Sequence, residues 1–70
     1  MDIRDNLSAI IREKAFVQAE FARRSGLTPV KFGAVLAKKR KLDANELLRV
    51  CEVISMTPDE VANYQNPQDN

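Results

Sequence analysis

The stretch from Gln18 to Leu36, QAEFARRSGLTPVKFGAVL, restricts this chain more than any other part of it. Its first half carries Phe21 and Ala22 facing one way, with Ala22 small enough to sit where two helices touch. Gly26 can take the left-handed conformation that ends a helix at no steric cost. Thr28 follows with a side-chain oxygen suited to capping the next helix. Pro29 is preset for a first helical turn, where a missing N–H costs nothing. Phe32, Val35 and Leu36 then recur at helical spacing and face inward. Two short helices joined by so tight a turn make a helix-turn-helix unit.

The flanking sequence supplies partners for that unit. Ile3, Leu7, Ile10 and Ile11 step at four and three residues, so a first helix is expected from Ile3 to Ala15 with these on its buried stripe. Arg4, Arg12 and Lys14 lie off the stripe, either as a solvated face or as phosphate contacts from the helix flank. Phe16 is expected to anchor the core between helices one and two. Val17 occupies the cap position of helix two without an oxygen to serve there, an omission that typically costs about 1 kcal/mol. Asp43 and Glu46 read as a capping box for helix four, and Thr57, Pro58 and Glu60 repeat that logic for a short helix five. Leu47, Leu48, Val50, Cys51, Val53 and Ile54 are too many apolar residues for one stripe. Val50 or Val53 is therefore expected to face a second copy of the chain. The polar, Pro-containing residues 63–70 read as a flexible tail behind a domain of residues 1–62, with Tyr64 able to pack back on the domain or on a partner.

Several function classes fall away on residue types alone. The chain has no histidine, one cysteine and two glycines. No zinc cluster, phosphate-cradling glycine loop or nucleophile–base pair can be assembled, so neither an enzyme, a cofactor nor a metal is expected. Cys51 is expected to be a small buried hydrophobe. No apolar run approaches the ~20 residues of a membrane span. The start, MDIRDNLSAI, is acidic where a secretory leader is basic, so a cytoplasmic protein is expected.

Charge points elsewhere. The formal net charge is only +1, yet residues 1–41 hold ten Lys and Arg against four Asp and Glu, whereas 42–70 hold one against six. The halves thus carry +6 and −5. A chain polarised in this way can offer a basic face to a polyanion. The second helix of a helix-turn-helix is the element such units present to the DNA major groove. Here its outward face is Pro29, Val30, Gly33, Ala34 and Ala37, flanked by Lys31 and Lys38. Only Thr28 and Lys31 could hydrogen-bond base edges, while Val30 and Ala34 could pack on thymine methyl groups. Gly33 costs the helix ~1 kcal/mol relative to alanine and leaves room for close approach of another backbone. Gln18, at the start of helix two, and the run Lys38, Lys39, Arg40 and Lys41 are placed to meet phosphates.

The pattern resembles the Xre-type (Cro/CI-like) helix-turn-helix regulators of bacteria and phages, without gaps from about Leu7 to Val61. Gln18-Ala19-Glu20-Phe21-Ala22 is similar to that family's Q-x-E-L-A, and Gly26-Leu27-Thr28 to its G-V-S/T turn. Phe32 and Val35 match its buried pair, and Leu47-Leu48 and Thr57-Pro58-Asp59-Glu60-Val61 its L-L and S-x-D-E-L segments. The resemblance implies an all-α, five-helix, lambda-repressor-like domain that binds operator DNA, usually as a dimer. It places the family's phosphate-contacting glutamine on Gln18 and its base-reading positions on Pro29, Val30 and Ala34, with Thr28 at the cap. Two departures stand out. The base-reading positions are apolar, and the Asn-Gly that often ends helix three is replaced by Ala37-Lys38, from which a longer helix is expected. A small repressor or autoregulator is the function implied, with no effector domain in view. The alternative is a protein-interaction module that docks another protein, as an antitoxin does, through Val30, Gly33, Ala34 and Ala37.

Overall fold

Helices begin in this protein where a side-chain oxygen can start them. The computed structural model describes residues 2–14 and 16–65, which form five helices and no strand: α1 (Ile3–Glu13), α2 (Gln18–Arg24), α3 (Pro29–Leu36), α4 (Ala44–Ile54) and α5 (Pro58–Ala62). Asp2, Thr28, Asp43 and Thr57 each accept a backbone N–H from the first turn they precede. Asp43/Glu46 and Thr57/Glu60 close complete capping boxes. The exception is α2, where Val17 makes no side-chain cap bond.

Helix ends follow one pattern. At the ends of α2, α3 and α4 a residue with positive φ turns the chain out: Gly26 (φ 76°), Lys38 (φ 62°) and Ser55 (φ 56°). Paired N–H bonds then close each end, Leu27 to Ala22 and Gly26 to Arg23, Lys39 to Ala34 and Lys38 to Val35, Met56 to Cys51 and Ser55 to Glu52. This double closure is a Schellman motif. Accordingly α3 stops at Leu36 with Ala37 as its cap, and does not run longer. Lysine takes the left-handed position that asparagine or glycine usually fills. Helix α1 likewise ends at Glu13, with Lys14 as its cap and Ala15 outside the described residues.

The core forms where the five stripes converge. Leu7, Ile10 and Ile11 of α1 meet Phe21 and Ala22 of α2, Phe32 of α3, Val50, Cys51 and Ile54 of α4, and Val61 of α5, all buried. Three rings run through it, with Phe16 tilted on Phe21 at 5.4 Å and Phe21 stacked on Phe32 at 5.2 Å. Burial raises the Cys51 thiol pKa, as expected of a packed apolar cysteine. The Asn6 amide donates to the Val61 and Ala62 carbonyls at 2.8 and 3.2 Å, tying the end of α5 to α1. Tyr64 packs back on the domain, its hydroxyl donating to Glu13. Of the expected tail, residues 66–70 lie outside the described residues. A radius of gyration of 11.0 Å matches a compact chain of this length.

Helix α4 corrects one expectation. Val50 is 0% exposed within its own chain, so it cannot face a second copy. Val53 is half-buried, and the apolar residue left in solvent is Leu48, 55% exposed. Of the two expected residues only Val50 is excluded, because it is buried in the core cluster that also holds Val61 of α5.

Candidate nucleic-acid interface

Helix α3 is held by its inner side. Phe32 and Val35 are fully buried and Leu36 half-buried, and the helix packs on α2 and α1. The Thr28 hydroxyl accepts the Lys31 N–H at 3.1 Å and fixes the first turn. Its outer side is left open. Pro29, Val30, Lys31 and Ala37 are exposed or half-exposed, and Gly33 and Ala34 are half-buried. Val30, at 84%, is the most exposed large apolar residue among those described.

Two braces fix the turns on either side. At the entry, Arg49 reaches across from α4, and its Nε donates to the Ser25 carbonyl at 3.1 Å. A Cβ on Gly26 would stand 3.3 Å from that same nitrogen. Nothing in the sequence singles out Arg49, which reads there only as the lone cation of an acidic half. At the exit, Lys38 Nζ lies 3.3 Å from Asp5, and the Arg4 guanidinium donates to the Arg40 carbonyl at 3.1 Å while clasping Asp2. Arg40 turns inward and forks onto both oxygens of Glu46 at 3.1 Å each. That fork, with the Asp43 N–H, lowers the Glu46 pKa, and the Arg4 bonds bring Asp2 down to about 2.

These pairings sort the basic half of the chain. Arg4, Arg23, Lys38 and Arg40 are committed to Asp2, Glu20, Asp5 and Glu46. The side chains of Arg12, Lys14, Arg24, Lys31, Lys39 and Lys41 have no hydrogen bond or ion pair among the described residues, and all six are exposed. Lys31 lies in the first turn of α3, and Lys39 and Lys41 follow its last. The apolar outer face is therefore bracketed along the chain by cations free to meet a polyanion.

Gln18 joins this face from α2. It is exposed, and its amide nitrogen would lie 3.6 Å from a Cβ at Gly33, so it rests against the middle of α3. Beside it, a shallow groove of about 320 Å³ is lined by Ser8, Ile11, Arg12, Phe16, Gln18 and Leu36. Arg12 is thereby brought next to Gln18, which helical spacing on α1 alone could not show. The expected site residues Gln18, Thr28, Pro29, Val30, Lys31, Ala34, Lys38, Lys39 and Lys41 lie on or next to α3, whereas Arg40 is spent on Glu46.

Residues 6–67 match the family model of the Cro/C1-type HTH DNA-binding domain, nearly the whole chain. The chain belongs to the Cro/C1-type helix-turn-helix family. No curated protein and no solved structure matches it. Family membership makes this a DNA-binding domain. Among the described residues of this Cro/C1-type domain, no helix is long and apolar enough to cross a membrane.

Proposed function

We propose that the protein is a sequence-specific transcriptional regulator, a small repressor or autoregulator that binds operator DNA as a homodimer. Helix α3 enters the major groove, and two copies read half-sites one helical turn, ~34 Å, apart. The observation that carries this reading is the unpaired set Lys31, Lys39 and Lys41 on either side of an uncovered helix face. Gln18, Lys39 and Lys41 contact phosphates, and Lys38 joins them on leaving its exposed pair with Asp5. Arg40 acts through the loop it holds against Glu46.

In vitro selection from a random duplex pool at near-physiological salt tests it. Recovery of an inverted repeat with centres ~10 base pairs apart is expected. Retention without an enriched motif would leave a basic face that reads no sequence. Replacing Lys39 and Lys41 with alanine should weaken binding to all duplexes alike. The salt slope should drop by roughly 0.9 for each phosphate no longer neutralised.

A second reading is favoured by the 84% exposure of Val30. A helix face of valine, glycine and alanine also suits a protein partner, as in an antitoxin or co-regulator. Val30→Glu separates the two: loss of a partner with DNA binding intact supports the interaction module.

A further inference from the structure

From the side chains on the outer face of α3 we infer that this helix reads C5-methyl groups of pyrimidines, not hydrogen-bonding base edges; the inference rests on the DNA-binding reading above. Positions 30, 33, 34 and 37 fall on one side of a helix. In this chain they are Val30, Gly33, Ala34 and Ala37, which carry no donor or acceptor beyond the backbone. The Lys31 and Phe32 N–H groups are taken by the Thr28 hydroxyl and carbonyl, while the Val30 N–H and the Thr28 hydroxyl proton lie at the N-terminal end of the helix and not along this face. Lys31, in the first turn, is the one charged donor on the helix.

What this face does offer is apolar surface at close range. Val30 is a β-branched residue in a helix with almost nothing packed on it, so in the free chain it costs propensity without gaining burial. Gly33, Ala34 and Ala37 keep the helix thin and let its backbone approach nearer than arginine or glutamine would allow. In the major groove, the apolar feature at base-edge height is the methyl of thymine. The unpaired Lys31, Lys39 and Lys41 argue for a polyanion as occupant.

A specific consequence follows. Side chains that touch only the methyl do not sense whether O4 of thymine or N4 of cytosine stands beside it. At positions facing Val30 and Ala34, thymine and 5-methylcytosine should therefore be interchangeable, and uracil and unmodified cytosine equally poor. A buried methyl contributes about 0.8 kcal/mol, so removing one should weaken binding roughly fourfold.

The test is selection on three random duplex pools with the full chain. One carries thymine and one carries uracil in its place. The third carries uracil and, for every cytosine, 5-methylcytosine. The expected result is a thymine-containing motif from the first, none from the second, and from the third the same motif with 5-methylcytosine where thymine stood. Val30→Ala, an exposed change checked for folding by circular dichroism, should bring the thymine-to-uracil affinity ratio on that motif toward one. The same motif at equal affinity from the first two pools overturns methyl reading and leaves DNA reading intact. An unchanged ratio in Val30→Ala overturns the assignment to that residue. Salt-sensitive retention without a motif in any pool overturns base reading by α3. No retention in any pool, even at low salt, overturns the DNA-binding reading itself.

Discussion

The turn that enters α3 and the turn that leaves it have the same backbone and are held by different chemistry. Both are Schellman closures around one residue of positive φ. The entry uses Gly26, then Thr28 and Pro29, residues whose own conformational preferences suit the path. The exit uses Lys38, which resists that path, and is held by side chains from outside the turn. Asp5 meets Lys38, Arg4 meets the Arg40 carbonyl, and Glu46 meets the Arg40 side chain. The entry adds one outside hydrogen bond, from Arg49 to the Ser25 carbonyl, to a path its own residues favour, whereas the exit relies on ion pairs and hydrogen bonds brought from α1 and α4. Perturbing sterics should therefore strike the entry, and perturbing charge the exit.

The largest effect is expected at Gly26. Alanine there must hold φ near 76°, and its Cβ would crowd Arg49 Nε at 3.3 Å, pushing it off the Ser25 carbonyl. Strain and a weakened hydrogen bond together should cost about 2 kcal/mol. Urea unfolding measures this directly. A loss no larger than that of an exposed surface substitution would mean that the entry is not set by its glycine.

Acid should act on the exit instead. Glu46 and Asp2 have folded pKa values below their unfolded ones, Asp2 about 2 against 3.8. The folded state then binds fewer protons than the unfolded state, so their stabilisation is present above the ordinary carboxylate range. It is lost as pH falls through that range toward about pH 2. Glu46→Gln keeps an acceptor for the capping bond but removes the charge from the Arg40 fork, at a cost of about 1 kcal/mol near neutrality. The variant should also show a shallower fall in urea midpoint with acid. Amide exchange should locate the acid-induced opening at residues 38–43 and not at 25–28, and the reverse order would break the comparison.

The same contrast explains which parts are legible in the sequence. Gly26, Thr28, Pro29, Asp43, Glu46, Thr57 and Pro58 act on neighbours a few residues away, so their roles can be read from spacing. The burial of Phe21, Phe32 and Val35 follows from helical periodicity. Lys38 gives no stop signal, because what holds it sits 33 residues earlier at Asp5. Arg40 reads as one more cation in a basic run, and only the loop path shows that Glu46 has claimed it. Arg12 beside Gln18, Arg49 over the entry turn and Leu48 in place of Val50 are likewise products of packing between helices. The apolar composition of the outer face of α3 is legible, since it depends on one helix alone, whereas Gln18 resting against Gly33 is again a product of packing.

Lys38→Gly should sharpen the exit. Glycine removes the roughly 1 kcal/mol that a side chain costs in the left-handed region. Against this stand the exposed Asp5 pair, worth a few tenths, and the greater freedom of glycine in the unfolded chain. A net gain of about 0.5 kcal/mol in urea unfolding is expected, with the gain shrinking in low salt, where the lost pair counts most. A clear destabilisation would show that Asp5 contributes more to the exit than backbone geometry costs it.

The smallest effect is expected from Ser25→Ala, at the start of the entry turn. Ser25 is fully buried, and its hydroxyl has no hydrogen-bond partner among the described residues. Its carbonyl, not its side chain, receives Arg49. Burying a hydroxyl without a partner costs free energy that alanine, smaller by one atom, does not incur. The vacated volume is too small to leave a water-sized void, so little packing is lost in return. The substitution should be neutral or stabilise by no more than about 0.3 kcal/mol, with an unchanged denaturant slope. That outcome would fit an entry turn whose polar brace from outside is Arg49. A loss above about 1 kcal/mol would instead mean that the hydroxyl satisfies a group at the turn, giving the entry a second polar brace beside Arg49.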